Sequence, residues 1–355
     1  MTDLRLLLHP YRLPLRRPWR TARDTLAERT GWLVHAEADG ASGFGDCAPL
    51  PAAGTETAAQ AAQRLAHWRA RAGEGVAALL AALAIEPSAT PAADCAVETA
   101  LLDLCARQRG LPLRRLLHAA APDQLAVNAM LGAAGTLHTA AVEQALAAGF
   151  RVLKVKLGTA PPAEELARLE AAAALLPAGA ALRLDANGAF DATSAAACIA
   201  EVAGLPIDCL EEPLATPDDA ALAHLQATAP FSLALDESLA GRPDLHPARL
   251  PVRRLVLKPA VVGGLRRTLR LATQAHAAGR EVVLTSLVES AAGLWATAQL
   301  AAATGGPLAH GLATADWLAA DLGAAPMIDA GSIMLPEAPG SGFMAFDDQP
   351  QGPDT

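Results

Sequence analysis

Hydrophobic and polar positions follow two rhythms along this chain of 355 residues. Near the N-terminus TGWLVHAEA (30–38) alternates, as a half-buried strand does. DGASGFGD (39–46) follows with turn residues, so a hairpin is expected. From about residue 55 the apolar spacing lengthens to three and four. TETAAQAAQRLAHWRARAG (55–73) and PAADCAVETALLDLCARQRG (91–110) read as helices, the second with Gly110 as a C-cap. Residues 1–120 are therefore expected to form an α+β body.

Beyond it, short apolar runs recur, each followed by an alanine-rich helical stretch. They are LAVNAML (125–131), RVLKVKL (151–157), ALRLDAN (181–187), IDCLEEP (207–213), FSLALDE (231–237), RRLVLKP (253–259), EVVLTSL (281–287) and the weaker PLAHGLA (307–313). Their spacing, roughly 22 to 30 residues, is that of one strand plus its crossover helix. Eight such units predict a (β/α)8 barrel over 121–336. A doubly wound open sheet is the alternative, but no Gly-rich nucleotide loop accompanies these units. The segment 337–355, rich in Gly, Pro and Asp, is expected to be a tail that frays or packs on the N-terminal body.

Barrel active sites lie at strand C-termini. There the runs end in Lys154 and Lys156, then Asp185, Glu211, Asp236, Lys258 and Thr285–Ser286. Taken singly, each acid could be an ordinary helix N-cap. Together, three carboxylates on consecutive strands repel one another unless a cation lies between them. Oxygen donors alone suit a hard divalent ion, Mg²⁺ with Mn²⁺ as a substitute, and no His or Cys at the run ends argues for zinc.

The lysines belong to the same pattern. The chain has 28 basic residues and only three are lysine, all at predicted rim positions on either side of the acids. Residues 154 and 156 share one face of a strand, as do Arg183 and Asp185. Lysine can lose its proton when buried near other cations, whereas arginine cannot. A neutral lysine general base, its pKa depressed by a second lysine and a metal, is therefore expected.

Composition narrows the partners. Hydrophobic residues make up 52% of the chain, enough for a large core. A net charge of −9 without a basic cluster disfavours nucleic acid and anionic membranes. MTDLRLLLHPYRLPLRRPWR lacks the long apolar run of a signal peptide. Five cysteines without a CxxC pair point to buried thiols in a reducing compartment. The expectation is a cytoplasmic protein acting on a small-molecule carboxylate, with homo-oligomerisation left open.

Lys154-Val155-Lys156, Asp185, Glu211, Asp236 and Lys258 together resemble the enolase superfamily, specifically its muconate-lactonizing subgroup. GFGDCAPLPAAGTET (43–57) resembles that subgroup's capping loop. The resemblance implies a modified barrel under an α+β capping domain. It also implies a Mg²⁺ ion held by Asp185, Glu211 and Asp236, and an enediolate formed by lysine abstraction of an α-proton. RLDANGAF, LEEP, LDES, the KP after Lys258 and the ES-x-x-GL of 289–294 resemble the o-succinylbenzoate synthase family. By that resemblance Lys156 is the base and then the acid, Lys258 stabilises the enediolate and Lys154 tunes Lys156. Thr285, Ser286 and Gly311 are expected to touch substrate, and Arg183, Asn187, Glu212 and Glu237 to support the metal ligands. A loop around Thr21 to Thr30 is expected to close over the site.

The nearest rivals are the N-succinylamino acid racemases and dipeptide epimerases, which would use the same lysines from both faces. The D-x-D of dipeptide epimerases is absent from GLATADWLAADL (311–322), where Asp316 and Asp321 stand five apart. A Schiff-base aldolase using Lys156 would leave the three acids unexplained. A non-catalytic barrel would tolerate arginine at the lysine positions.

Overall fold

The structure, a computed structural model, describes residues 4–20, 25–85, 89–240, 242 and 245–345. Three antiparallel strands open it: β1 (Arg5–Arg20), β2 (Thr25–Ala38) and β3 (Ala41–Cys47). The expected hairpin turns at Asp39-Gly40, where φ is 56° and 75°. Positive φ at both positions is what a two-residue loop needs to match the strand twist. Residues 21–24 of the loop expected around Thr21 to Thr30 lie outside the described residues, and from Thr25 the chain is already β2.

Helices α1 (Ala58–Ala70), α2 (Val76–Ile85) and α3 (Pro91–Gln108) cover this sheet. A capping box of Thr57 and Gln60 starts α1. The glycines of GFG explain how close α3 comes to β3. A Cβ at position 43 would sit 2.3 Å from the Ala100 carbonyl oxygen, and one at 45 would sit 2.0 Å from that of Ala96. Ala96 and Ala100 on α3 are the other half of that contact and are fully buried.

After α4 (Leu113–Leu117) and β4 (Gln124–Ala126) the barrel begins. Its elements are β5 (Ala129–Ala133), α5 (Thr139–Ala147), β6 (Val152–Lys156), α6 (Pro162–Ala173), β7 (Ala181–Asp185), α7 (Ala192–Val202), β8 (Ile207–Glu211), α8 (Asp219–Thr228) and β9 (Ser232–Leu235). Next come β10 (Arg254–Leu257), α9 (Pro259–Val262), α10 (Leu265–Ala277), β11 (Glu281–Leu284) and α11 (Ala291–Thr304), and the chain returns through β12 (Ile328–Asp329) and β13 (Ser332–Met334). β5 to β11 form one parallel sheet in sequential order. Outward side chains such as Leu153, Leu184, Leu210, Leu233 and Leu255 pack under the helices in one continuous core. Cys209, Ala234 and Val256 form a small apolar layer of their own.

Among the described residues seven strands form this sheet instead of the expected eight. The run 307–313 contributes isolated bridges, from His310 to Val127 and from Gly311 to Thr285. Those bridges still join the two edges: Gly311 donates to Leu284 O and His310 to Ala126 O. The run is too short for a ladder, and it follows Gly305-Gly306-Pro307, where two glycines have positive φ. The first run also divides: β4 pairs antiparallel with β13, and β5 joins the barrel.

Residues 337–345 do not fray. Asp103 on α3 accepts from Ser341 N at 2.5 Å, Arg107 donates to Phe343 O at 2.7 Å, and Phe343 is fully buried. The polar composition of this stretch hid an anchor made by two side chains of the N-terminal body. No helix among the described residues is long and apolar enough to cross a membrane.

Candidate active site

The expected residues gather at one end of the barrel. Lys156, Asp185 and Glu211 are the last residues of β6, β7 and β8, and Asp236 and Lys258 follow directly after β9 and β10. Register places Lys156 beside Asp185 and Asp185 beside Glu211. All three acids are buried.

Two of the three lysines are bound to these acids. Lys154 Nζ lies 2.9 Å from Asp185 Oδ2 and donates to Glu211 Oε2. Lys258 Nζ donates to Asp236 Oδ1. Lys156 is half-buried on the same strand face as Lys154 and makes no hydrogen bond or ion pair with a described residue. Its charge nevertheless helps to lower the Asp185 pKa.

The electrostatics correct one expectation. Burial works to lower the pKa of Lys154, but Asp185, Glu211 and Asp236 outweigh it and hold it well above the ordinary lysine range. Lys258 is raised in the same way, by Asp236 and Glu237 against burial. Mutual repulsion between lysines therefore does not govern these two, because three carboxylates stand closer. Burial pushes Asp236 up to about 6 and raises Glu211, with Asp185 and Asp236 adding to the latter. Asp185 ends below its usual value: burial raises it, but Lys154 prevails.

Among the described residues no three acidic, His or Cys side chains form a ready-made metal cage. The donor set still suits a hard divalent cation. Three carboxylates on adjacent strands crowd negative charge into a buried space, and the Lys154 ammonium lies where it bonds two of them.

The supporting residues touch the acids directly. Asn187 N donates to Asp185 Oδ1 at 3.0 Å and its amide to Glu237 Oε1 at 3.0 Å. Glu212 Oε2 accepts from Asp236 N at 2.7 Å and from Ser238 N and Oγ, which fixes the turn carrying Asp236. Asn187 and Glu212 both have positive φ, 44° and 41°, a strained backbone concentrated at this rim. Arg183 is buried beneath, with Nε 3.9 Å from Glu211 Oε1. Thr285, Ser286 and Gly311 lie at the closing seam. Thr285 Oγ1 donates to Gly311 O at 3.0 Å, and Ser286 Oγ pairs with Thr314 Oγ1 at 2.6 Å. Both hydroxyls are engaged within the protein.

Sequence reasoning missed the charged layer below. Register steps from Leu182↔Ile207 to Arg183↔Cys209, so Asp208 is an extra residue in β8. Strict alternation would turn it outward with Leu210. The bulge instead aims its carboxylate between Arg183 Nε (2.7 Å) and Arg254 Nη1 (2.6 Å). Arg254 also bonds Glu281, and Arg183 bonds Asn128 and Ala309 O. Burial raises the Asp208 pKa, but the two guanidiniums win and hold it below the usual carboxylate range. Two arginines inside apolar runs were the only signal.

A parallel barrel with buried acids and lysines at its strand C-termini, beneath an α+β cap, defines the class to which this chain conforms. Residues 138–348 match the family described as enolase C-terminal domain-like, and residues 4–100 match that described as MenC, N-terminal domain. The chain belongs to the enolase superfamily. It is 33% identical over 305 residues to an aromatic dipeptide epimerase of Herpetosiphon aurantiacus, covering 83% of this chain and 85% of that one. It is also 33% identical over 219 residues to an o-succinylbenzoate synthase of Thermobifida fusca, covering 60% and 66%. The crystal structure of a dipeptide epimerase from Enterococcus faecalis V583, complexed with Mg and dipeptide L-Leu-L-Tyr, superposes with a TM-score of 0.84 at 24% identity, over 96% of this chain and 99% of that one.

Proposed function

We propose that the chain catalyses Mg²⁺-dependent syn-dehydration of 2-succinyl-6-hydroxy-2,4-cyclohexadiene-1-carboxylate to o-succinylbenzoate, a lyase step of menaquinone biosynthesis. One observation carries the reading: of three lysines at the rim, two are bound by acids and Lys156 is left without a partner among the described residues. The N-terminal match to the MenC family and the o-succinylbenzoate synthase relative support the choice of substrate.

Asp185, Glu211 and Asp236 would hold the ion, and Mg²⁺ would supply Lewis-acid stabilisation of the negative charge on the substrate carboxylate. Lys156, as the free amine, takes the proton from the carbon bearing that carboxylate. The ammonium so formed returns a proton to the β-hydroxyl on the same face, which leaves as water while the ring becomes aromatic. Lys258, four strands away across the sheet, presents its positive charge to the opposite face of the ring. Lys154 holds Asp185 and Glu211 in place through its two ion pairs. General acid–base assistance of this kind is worth about 10²- to 10⁴-fold.

A second reading is racemisation or epimerisation of an N-succinylamino acid or a dipeptide, with Lys156 and Lys258 working from opposite faces. The identity to the aromatic dipeptide epimerase favours it. The deciding experiment offers the Mg²⁺-loaded protein the cyclohexadiene, N-succinylamino acids and L,L-dipeptides in D₂O. Dehydration with a turnover number far above that of any α-deuterium exchange supports the synthase. Rapid exchange into amino acid substrates without dehydration makes the chain a racemase or epimerase.

A further inference from the structure

A cavity of about 190 Å³ leads away from Asp236 and Lys258 toward the outside of the barrel. Its walls are mixed: Leu239, Leu245, Val262 and Leu271 supply an apolar side, with Ala53 of the N-terminal body beside them. Two arginines also line it. Arg242 is held by both oxygens of Asp219, at 2.6 and 3.1 Å. Arg267 makes no ion pair or hydrogen bond with a described residue. Its neighbour Arg266 is bound to Glu98 on α3, so the two arginines of α10 have different duties. Arg267 and Leu271 are four residues apart and share the face of α10 that borders the cavity. Of the acids in the lining, Asp236 is taken by Lys258 and Glu237 accepts from Asn187.

The geometry points to Arg267 as the anchor for a carboxylate at the end of a short aliphatic arm on the substrate. The reacting end would lie at Lys258 and the arm would follow the apolar wall. The terminal anion would meet a guanidinium that has no partner among the described residues. This rests on the dehydration reading, whose substrate carries a succinyl arm, and assigns that arm a place and a recognition residue. An arginine at a rim can bind carboxylate in a two-point fork that lysine cannot reproduce.

The test compares two ligands that differ only at the end of the arm. Binding of o-succinylbenzoate and of 2-butyrylbenzoate, in which a methyl replaces the terminal carboxylate, is measured by calorimetry on the full chain with Mg²⁺. Wild type, Arg267→Ala, Arg267→Glu and Arg267→Lys are compared. The wild type should prefer o-succinylbenzoate by tenfold or more. Arg267→Ala should erase that preference and Arg267→Glu reverse it, while 2-butyrylbenzoate binds all four proteins alike and Arg267→Lys retains part of the preference. The same preference in wild type and Arg267→Ala, or an equal loss of both ligands, overturns the assignment and leaves the dehydration reading standing. A wild type that binds neither ligand refutes the dehydration reading itself, and the anchor with it.

Discussion

At the residue scale the two lysines of RVLKVKLG part company. They share a strand face, yet Lys154 is gripped by two carboxylates and Lys156 by none among the described residues. Lys154→Met should therefore remove an ammonium that competes for Asp185 and Glu211 and tighten Mg²⁺ binding, as read by calorimetry. An unaltered metal affinity would refute that role. His310 makes a separate prediction. Its ring is buried at the barrel seam, where Nδ1 accepts from Leu284 N at 3.0 Å. Burial first, and then the nearby Arg183 charge, lower its pKa to about 3. The folded state thus favours the neutral ring. That contribution to stability is complete above pH 6.5, the ordinary imidazole value, and is lost progressively as pH falls toward 3. Urea denaturation of wild type and His310→Asn between pH 4 and 7 checks this: the wild-type curve should fall more steeply with acid. Parallel curves would show that His310 does not titrate on unfolding.

At the element scale, one bulge and one helix contact decide how the site is carried. The bulge in β8 turns Asp208 inward to balance Arg183 and Arg254 beneath the acids. Asp208→Ala leaves two buried guanidiniums short of charge, so a loss of about 3–5 kcal/mol is expected from equilibrium unfolding. A change below about 1 kcal/mol would mean that the network is not structural. Gly45→Ala places a methyl 2.0 Å from the Ala96 carbonyl oxygen and should cost roughly 1–3 kcal/mol as α3 is pushed off β3. An unchanged melting temperature would contradict that packing. These elements also show what the sequence made legible. Apolar runs with an acid, a lysine or a hydroxyl at their ends revealed β6 to β11 and the rim, because period-two burial and rim position are both local. Asp208 was hidden because a bulge breaks the period. The division of 125–131 between two sheets was hidden because β4 is fixed by β13, some 200 residues away.

For the molecule as a whole, the cap and the barrel are joined by buried polar bonds as well as by apolar packing. Arg29 of β2 is buried and bonds Val288 O, while Asp46 of β3 accepts from Tyr11 and from Ser290 N. The loop after β11 is thereby tied to the N-terminal sheet, and Val288 is held at φ 58°. The sequence showed the glycines of this region and the ES-x-x-GL motif, but not that Asp46 reaches Ser290, since no local pattern encodes a contact over 244 residues. In the proposed reading the rim takes the substrate's reacting carboxylate and the lateral cavity its anionic arm. The central claim is that Lys156 moves the proton. The measurement that tests it most directly is turnover of the cyclohexadiene carboxylate, followed by its absorbance, for wild type with Mg²⁺, wild type with EDTA, and Lys156→Arg with Mg²⁺. Rapid turnover by the first, none by the second, and a loss of about 10³-fold or more by a folded Lys156→Arg is the predicted result. A Lys156→Arg protein that turns over near the wild-type rate, or a folded Mg²⁺-loaded wild type that does not turn over at all, would contradict the account.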